Sequence, residues 1–418
     1  GRRRRRREVV TPPVSDTVEI RGHLLDSGVL SRCVDDVRSL GGDYVIERFD
    51  VGKDHDDESY ARIRVSAPSE PDLASMLMRL NSYGVNLTDP GEPVLRDVAT
   101  DGVFPLDFYS TTNLDTQVRL GGRWVEVQQP EMDCGLLVGG GPDERWVRTV
   151  PVSDVRAGDT VVCGASGVRV AQQAVPSDGD QTFEFMNSQV SSEKPQSLLL
   201  RQIAQQMREV KAEGGKVLWV GGPAVVHTGA APAMVALVEA GYVDVLFAGN
   251  ALATHDIEAS LYGTSLGVDL AMGRGVEHGH EHHIRAINQV RKAGSIAAAV
   301  EQGVLTSGIM HAMVTHGKRF VLVGSVRDDG PLPDVHTDVI VGQRAMRAEL
   351  PGVGFAIMVA TMLHSIATGN LLPASVPLVC VDINPATVTK LADRGSAQAV
   401  GIVTDIGLFL EGLARELV

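Results

Sequence analysis

VDVLFAGNALATHDIE, residues 243–258, passes from a run with five apolar residues in its first six into Gly249, Asn250 and Ala251, then into Thr254, His255 and Asp256. An apolar run without alternation reads as a strand buried on both faces, the pattern of a parallel sheet covered by helices. In open parallel sheets, ligands bind beyond the carboxyl ends of the strands. Small residues at such an end let a ligand approach the backbone, and Asn250 can both donate and accept hydrogen bonds. Thr254 or Asp256 is expected to cap the helix that follows. The same residues also suit plain turn chemistry, and this stretch alone leaves both readings open.

Working outward, KVLWV, FVLVGS, DVIVG, GFAIMVA, LVCVD and QAVGIVTD are further apolar runs, most of them separated by helical spacing. Strands alternating with helices predict a Rossmann-like α/β domain over residues 191–418, a parallel sheet with helices on both faces. Its first helix is SLLLRQIAQQMREVKAEGG, with Pro195 suited to the first turn and Gly214 to the stop. Upstream, residues 17–95 read strand, helix, strand, strand, helix, a ferredoxin-like α+β module. Leu73, Met76, Leu77 and Leu80 should form the buried face of its second helix. Residues 96–190 are richer in glycine and short apolar runs, among them RWVEVQ, CGLLVG and TVVCG, and predict a β-rich middle domain. Residues 1–16 read as a disordered basic tail.

The charge balance limits the function classes. Asp and Glu number 52 against 38 Lys and Arg, for a net charge of −14, although Arg2–Arg7 form a basic run. An acidic body argues against a nucleic-acid partner, and the Arg run reads as a solvated tail. Cys33, Cys134, Cys163 and Cys380 are scattered without zinc or redox spacing, so free thiols in a reducing cytosol are expected. No apolar stretch reaches the length of a membrane span. A cytoplasmic protein without a membrane partner is expected, and a homo-oligomer by analogy with symmetric sheet enzymes.

Several strand ends carry chemistry. GFAIMVA ends near Ala360, and Thr361, Met362, Leu363 and His364 open a helix. The next strand, LVCVD, ends in Asp382, 21 residues after Thr361. An acidic residue about 20 residues past a phosphate-binding turn is the ribose position of dinucleotide sheets. Helix N-terminal N–H groups would hold the pyrophosphate. Asp405 and Ile406, one strand further, could flank the adenine, and Asp328 and Asp329 could reach the nicotinamide or a ribose. No GxGxxG is present, so an α/β core with acidic caps remains an alternative at this point. In VEHGHEHHIRAIN, His278 and His282 are spaced to share a metal, but HExxH is absent and no cysteine lies near, so no metal is expected. His280 is the candidate for substrate contact. Lys194 could hold a substrate carboxylate or act as a base if desolvated.

FEFMNSQVSSEKP, AGNALATHDIEASLYGTSLG, HGHEHHIRAIN and VATMLHSIATGNLLP together resemble the LOR/SDH-domain family, in particular its NAD-dependent ornithine cyclodeaminase type, which also occurs fused behind an arginine dihydrolase. GHLLDSGVLSRCVDDVRSLGGDYVIERFDVGKDHDDESYARIRVSAP resembles the family's front domain, so the likeness spans residues 17–418. It implies NAD at the C-terminal sheet, with Asn250, Ala251, Asp329, Thr361, Met362, Leu363, His364, Asp382, Asp405 and Ile406 as contacts. It implies conversion of L-ornithine to L-proline and ammonia, a hydride leaving the α-carbon for tightly bound NAD and returning to a cyclic imine. Lys194, Asp256 and His280 are the candidates for carboxylate binding and proton transfer. Arginine hydrolysis is not expected of these residues. KVLWVGGPAVVHTG with VDVLFAGNALATHDIE is also distantly similar to deoxyhypusine synthase, whose lysine-bearing motif has no counterpart here. Two alternatives stay open: another NAD-dependent amino-acid or imine oxidoreductase of saccharopine or opine type, and a non-catalytic protein sensing NAD or an amino acid.

Overall fold

The computed structural model describes residues 13–24, 27–53, 57–142, 144–172, 196–266, 268–271, 281–328, 330–392 and 399–418. The chain divides into two compact units, residues 1–181 and 182–418.

The first unit opens with β1 (Val14–Gly22), α1 (Val29–Ser39), β2 (Asp43–Asp50), β3 (Ser59–Ala67), α2 (Glu70–Asn81) and β4 (Asn86–Leu87). The strands form an antiparallel sheet in the order β2-β3-β1-β4, the ferredoxin-like arrangement expected from the sequence. Strand β3 alternates as a half-buried strand should: Ala61, Ile63 and Val65 are fully buried, while Arg62 and Arg64 face water. Ser69 caps α2 by accepting the Asp72 N–H, and Leu73, Met76, Leu77 and Leu80 turn inward as their spacing predicts. There follow β5 (Val94–Asp97), β6 (Thr116–Leu120), β7 (Arg123–Gln128), β8 (Gly135–Gly139), β9 (Trp146–Val150), β10 (Thr160–Cys163) and β11 (Val168–Val170). They pair in the order β11-β6-β7-β9-β8-β10-β5, with no helix among the described residues between α2 and residue 172.

The second unit runs α3 (Gln196–Ala212), β12 (Lys216–Gly221), α4 (Ala224–His227), α5 (Ala231–Glu239), β13 (Val245–Ala248), α6 (Asn250–Tyr262), β14 (Thr264–Ser265), β15 (Val268–Asp269), α7 (His282–Ala293), α8 (Ile296–Glu301) and α9 (Ile309–Thr315). It continues with β16 (Arg319–Val323), β17 (Val335–His336), α10 (Val339–Glu349), β18 (Val353–Val359), α11 (Leu363–Leu371), β19 (Leu378–Asp382), α12 (Pro385–Ala392), β20 (Ala399–Val403) and α13 (Ile406–Leu417). Apart from the β14–β15 pair, the strands form one parallel sheet ordered β17-β16-β13-β12-β18-β19-β20. Successive residues of β12 point to opposite faces: Val217 and Trp219 enter one core, Leu218 and Val220 the other. The chain starts in the middle, builds outward through β13 and β16, then returns to β18 on the other side of β12. That reversal is a topological switch point, the place outside whose carboxyl edge open parallel sheets bind their ligands.

Two expectations are corrected. DVIVG, residues 338–342, is not a strand. Asp338 accepts the N–H groups of Ile340 (2.9 Å) and Val341 (3.2 Å) and starts α10. The β-branched run looked extended, but the aspartate cap and the helix formers that follow it from Gln343 to Glu349 override it. Nor does Thr254 or Asp256 cap the helix after β13. Gly249 occupies that place, and both side chains lie inside α6.

At the amino edge of the sheet, Asp244 ties three elements together. Its carboxylate accepts from Lys211 Nζ (2.8 Å), Lys318 Nζ (3.0 Å) and the Val217 N–H (2.9 Å). Burial pulls this carboxyl upward, but the three donors outweigh it and hold the group below the usual carboxylate range. Asp244→Ala leaves two partly buried ammonium groups without their anion and should destabilise the chain by about 3 kcal/mol. A depressed native pKa gives stability that is present above the unfolded value, about 3.9, and is lost as pH falls through the native one. Urea unfolding of both proteins should therefore show the gap closing below about pH 4.

Candidate active site

Helix α6 is the centre of the site, and its sequence explains why. Eight of its 13 residues are buried, including Asn250, Thr254, His255, Asp256 and Glu258. A helix without a solvent face must satisfy every polar side chain internally or offer it to a ligand.

Two of these groups hold the scaffold. Asn250 opens α6 one residue after β13 and accepts the Leu332 N–H through Oδ1 at 3.0 Å, fixing the loop after β16. Asp256 accepts the N–H groups of Ile309 and Met310, both at 2.8 Å, and so caps α9. Burial pushes its carboxyl up to about 6 against the pull of those two donors.

The others form a chain of contacts. His255 Nδ1 meets Glu258 Oε2 at 2.8 Å. Glu258 is fully buried and also accepts the Thr264 hydroxyl (2.9 Å) and the Leu266 N–H (3.2 Å). Thr264 Oγ1 lies 2.8 Å from His282 Nδ1. On the other side, the His227 ring is 4.8 Å from that of His255, and its Nδ1 bonds the Ser265 hydroxyl. Burial, and then the neighbouring His255, hold His227 below the ordinary histidine range. The His283 ring stands 6.4 Å from His255. Sequence reasoning did not single out His255 or Glu258; its candidates here were Asp256, the next residue along α6, and His280, which lies outside the described residues. The usable signal was the spacing of His255 and Glu258, three residues apart and so on one helical face.

The carboxyl ends of the strands carry the remaining candidates. At the switch point the ends of β12 and β18 touch: the Gly222 N–H donates to Val359 O at 2.9 Å, and a Cβ on Gly222 would lie 1.9 Å from Ala360 O. Ala360 is left-handed, with φ 56°, a conformation non-glycine residues seldom adopt. Thr361 and Met362 then lead into α11, whose first residue, Leu363, is exposed. His364 bonds the Val323 carbonyl at the end of β16, and its ring packs 3.3 Å from where a Gly249 Cβ would be. Burial holds this imidazole below its ordinary range. Asp382 ends β19; its Oδ1 accepts the Asn384 N–H at 2.8 Å, and Oδ2 has no hydrogen-bond partner among the described residues. Asp405 caps α13 through the Leu408 N–H at 3.0 Å, while Ile406 is buried. Ala251 is half-buried in the first turn of α6. The sheet thus brings Asn250, Ala251, Thr361–His364, Asp382 and Asp405 to one edge. Asp328, whose Oδ2 accepts the Ser325 N–H at 2.8 Å, shares that edge. Asp329, Lys194 and His280 lie outside the described residues.

The close approach at Gly222 and the open carboxylate oxygen of Asp382 fit a dinucleotide. So do two hydroxyls in the helices leaving this edge, Thr254 Oγ1 and Ser365 Oγ, both buried without a hydrogen-bond partner among the described residues.

Comparison with known proteins gives three family matches. Residues 201–413 match the arginine dihydrolase ArgZ-like C-terminal Rossmann fold, residues 115–200 its first region, and residues 15–114 the conserved region of the LOR/SDH bifunctional enzyme. The ornithine cyclodeaminase of Methanothermobacter thermautotrophicus is 52% identical over 400 residues, covering 96% of this chain and 97% of that protein. The crystal structure of ArgZ, a cyanobacterial arginine dihydrolase, is 38% identical with a TM-score of 0.84, covering 97% of this chain and 58% of ArgZ. AgrE, solved as a ternary complex with ornithine and NAD+, is 40% identical with a TM-score of 0.52, covering 97% of this chain and 57% of AgrE. The chain belongs to the LOR/SDH family, in the branch that carries the ArgZ-like C-terminal Rossmann domain.

Proposed function

We propose that this protein is an ornithine cyclodeaminase that converts L-ornithine to L-proline and ammonia and uses NAD as its resident cofactor. The observation that carries this is the 52% identity, over nearly the whole of both chains, to an ornithine cyclodeaminase. The AgrE complex with ornithine and NAD+ supports the substrate and the cofactor.

Bound NAD supplies an acceptor for the α-hydride of ornithine and gives that hydride back, so no net oxidation results. The chain's own residues do the rest. Asp382 accepts a ribose hydroxyl, and the first turn of α11 offers N–H groups to phosphate. Gly222 lets the ends of β12 and β18 close together, which sets the position of Thr361 and the first turn of α11. His364 spans the ends of β18 and β16 and bounds the nicotinamide end, with Asp328 beside it; Asp329 is a further candidate contact. Asp405 and Ile406 flank the adenine. Lys194 is the candidate for the substrate carboxylate and His280 for a further substrate contact; Asp256 we assign to the α9 cap. The acidic balance of the chain favours a diamine. A homo-oligomer in the cytoplasm is part of the same reading. Four free, buried cysteines support a reducing compartment, and no described helix is long and apolar enough to cross a membrane.

The test is incubation of purified protein with ornithine and NAD+. Proline and ammonia should form in equal amounts with no accumulation of NADH. Stoichiometric NADH would instead mark a dehydrogenase, and ligand binding without product a sensor. Asp382→Ala should weaken NAD by about tenfold or more, read by equilibrium binding, because a charge-assisted hydrogen bond is lost.

A further inference from the structure

We infer that His255 is the group that takes the proton from the α-ammonium of ornithine, through Nε2, with Glu258 as its positioning residue. The inference rests on the ornithine reading and extends it to a named base.

The chemistry requires such a group. A hydride can leave the α-carbon only when the attached nitrogen has a lone pair to share, and the α-amine of ornithine is protonated near neutral pH. The N–H bond breaks, its electron pair stays on nitrogen, and the proton passes to an imidazole, which becomes imidazolium. The same proton can be returned to the amino group that departs as ammonia, so the histidine is restored in each turnover.

The geometry points to His255. Its Nδ1 faces Glu258 Oε2 at 2.8 Å. That carboxyl is surrounded by donors, the Leu266 N–H at Oε2 and the Thr264 hydroxyl at Oε1, which makes it an acceptor. The proton of the His255–Glu258 contact therefore resides on Nδ1, and the lone pair of His255 is on Nε2. The carboxylate also stabilises the imidazolium once it forms, as an orienting carboxylate does in a catalytic triad. Thr264 donates to Glu258, so it accepts from His282 Nδ1–H and extends the hydrogen-bonded line. Among the described residues, His227 from α4, His283 from α7 and Glu258 on its own helix face His255. Burial, and then His255, lower the pKa of His227, which disfavours a second full charge beside the imidazolium.

His227 and His255 each come shortly after a strand of the parallel sheet. His227 comes five residues after Gly222, at the end of β12. His255 comes five residues after Asn250, at the end of β13, about 7.5 Å along the helix axis. Both therefore follow, within one or two helical turns of sequence, strand ends on the carboxyl edge.

The experiment compares the full chain with His255→Gln and Glu258→Gln in two readouts. In the steady state, His255→Gln should lower kcat by about 10²–10³-fold while NAD binding stays within about threefold, and Glu258→Gln should lower kcat with little change in the KM for ornithine. In the NAD-free protein, nitrogen-15 NMR of the histidine ring should show the Nδ1–H tautomer of His255, and Glu258→Gln should shift the ring toward the other tautomer. This second readout does not depend on activity, and a purely structural glutamate would not move it. An active wild type with a His255→Gln variant that keeps more than about a tenth of its kcat overturns the assignment alone. An Nε2–H tautomer in the wild type overturns it too, even if the variants fail to fold. A wild type that makes no proline from ornithine overturns the functional reading, and this assignment with it.

Discussion

Gly222→Ala should strip the protein of NAD and lower its stability by about 1–3 kcal/mol, the usual penalty for overpacking a filled interior. The added methyl would sit 1.9 Å from the Ala360 carbonyl oxygen and 2.7 Å from its carbon. Those are backbone atoms, so no side chain can rotate away. The ends of β12 and β18 must part, at the place where the Gly222 N–H holds Val359 O and where Ala360 is already in a left-handed conformation. The strands flank the switch point, so a separation too small to unfold the sheet is enough to misplace Thr361 and the first turn of α11. NAD affinity should fall more than tenfold, about 1.4 kcal/mol or more. Gly249→Ala is the control: its methyl would meet nothing nearer than His364 Cε1, at 3.3 Å, which can shift by a few tenths of an ångström. Melting temperature and NAD binding on both variants check the result. A Gly222→Ala protein with normal affinity would mean that the dinucleotide lies elsewhere.

Asp256→Ala should destabilise the protein by about 2–4 kcal/mol, since two buried N–H groups lose their acceptor. Ile309 and Met310 begin α9, and the aspartate that caps them is almost completely buried. Its carboxyl is raised to about 6 by burial. A native pKa above the unfolded one means that the native state binds more protons between the two values. The wild-type chain should therefore lose stability as pH rises from about 4 to 6, and Asp256→Ala should lack that slope. Denaturant unfolding across this range measures it. Asp256→Asn should also be less stable, yet its folded fraction should keep kcat within a few-fold. A folded Asp256→Asn protein that makes no proline would give Asp256 a part in the proton chemistry.

The fold was legible where one periodicity ruled. β12, β13, β18 and β19 are unbroken apolar runs because both faces are covered, and α2 shows its buried face by spacing alone. DVIVG misled because composition cannot reveal whether Asp338 will cap, and that cap decides between strand and helix. The strand-end residues were legible for a topological reason: whatever follows an inner parallel strand arrives at the carboxyl edge. Asp382 and Thr361 needed only their spacing and the order of elements. The histidine–glutamate line was not legible in the same way. It joins α4, α6, β14 and α7, whose mutual packing no local pattern encodes. Asp256 and His255 are neighbours in sequence, but a turn of about 100° between them sends one side chain to a helix cap and the other to Glu258.

The enclosure of α6 couples two properties that proteins more often keep apart. The segment that would present the chemistry is also folding core, so a change at His255 or Glu258 alters both turnover and the amount of intact protein. Retuning this enzyme toward a shorter or longer diamine will meet that conflict first, and selection schemes scored by product alone will mistake lost protein for lost specificity.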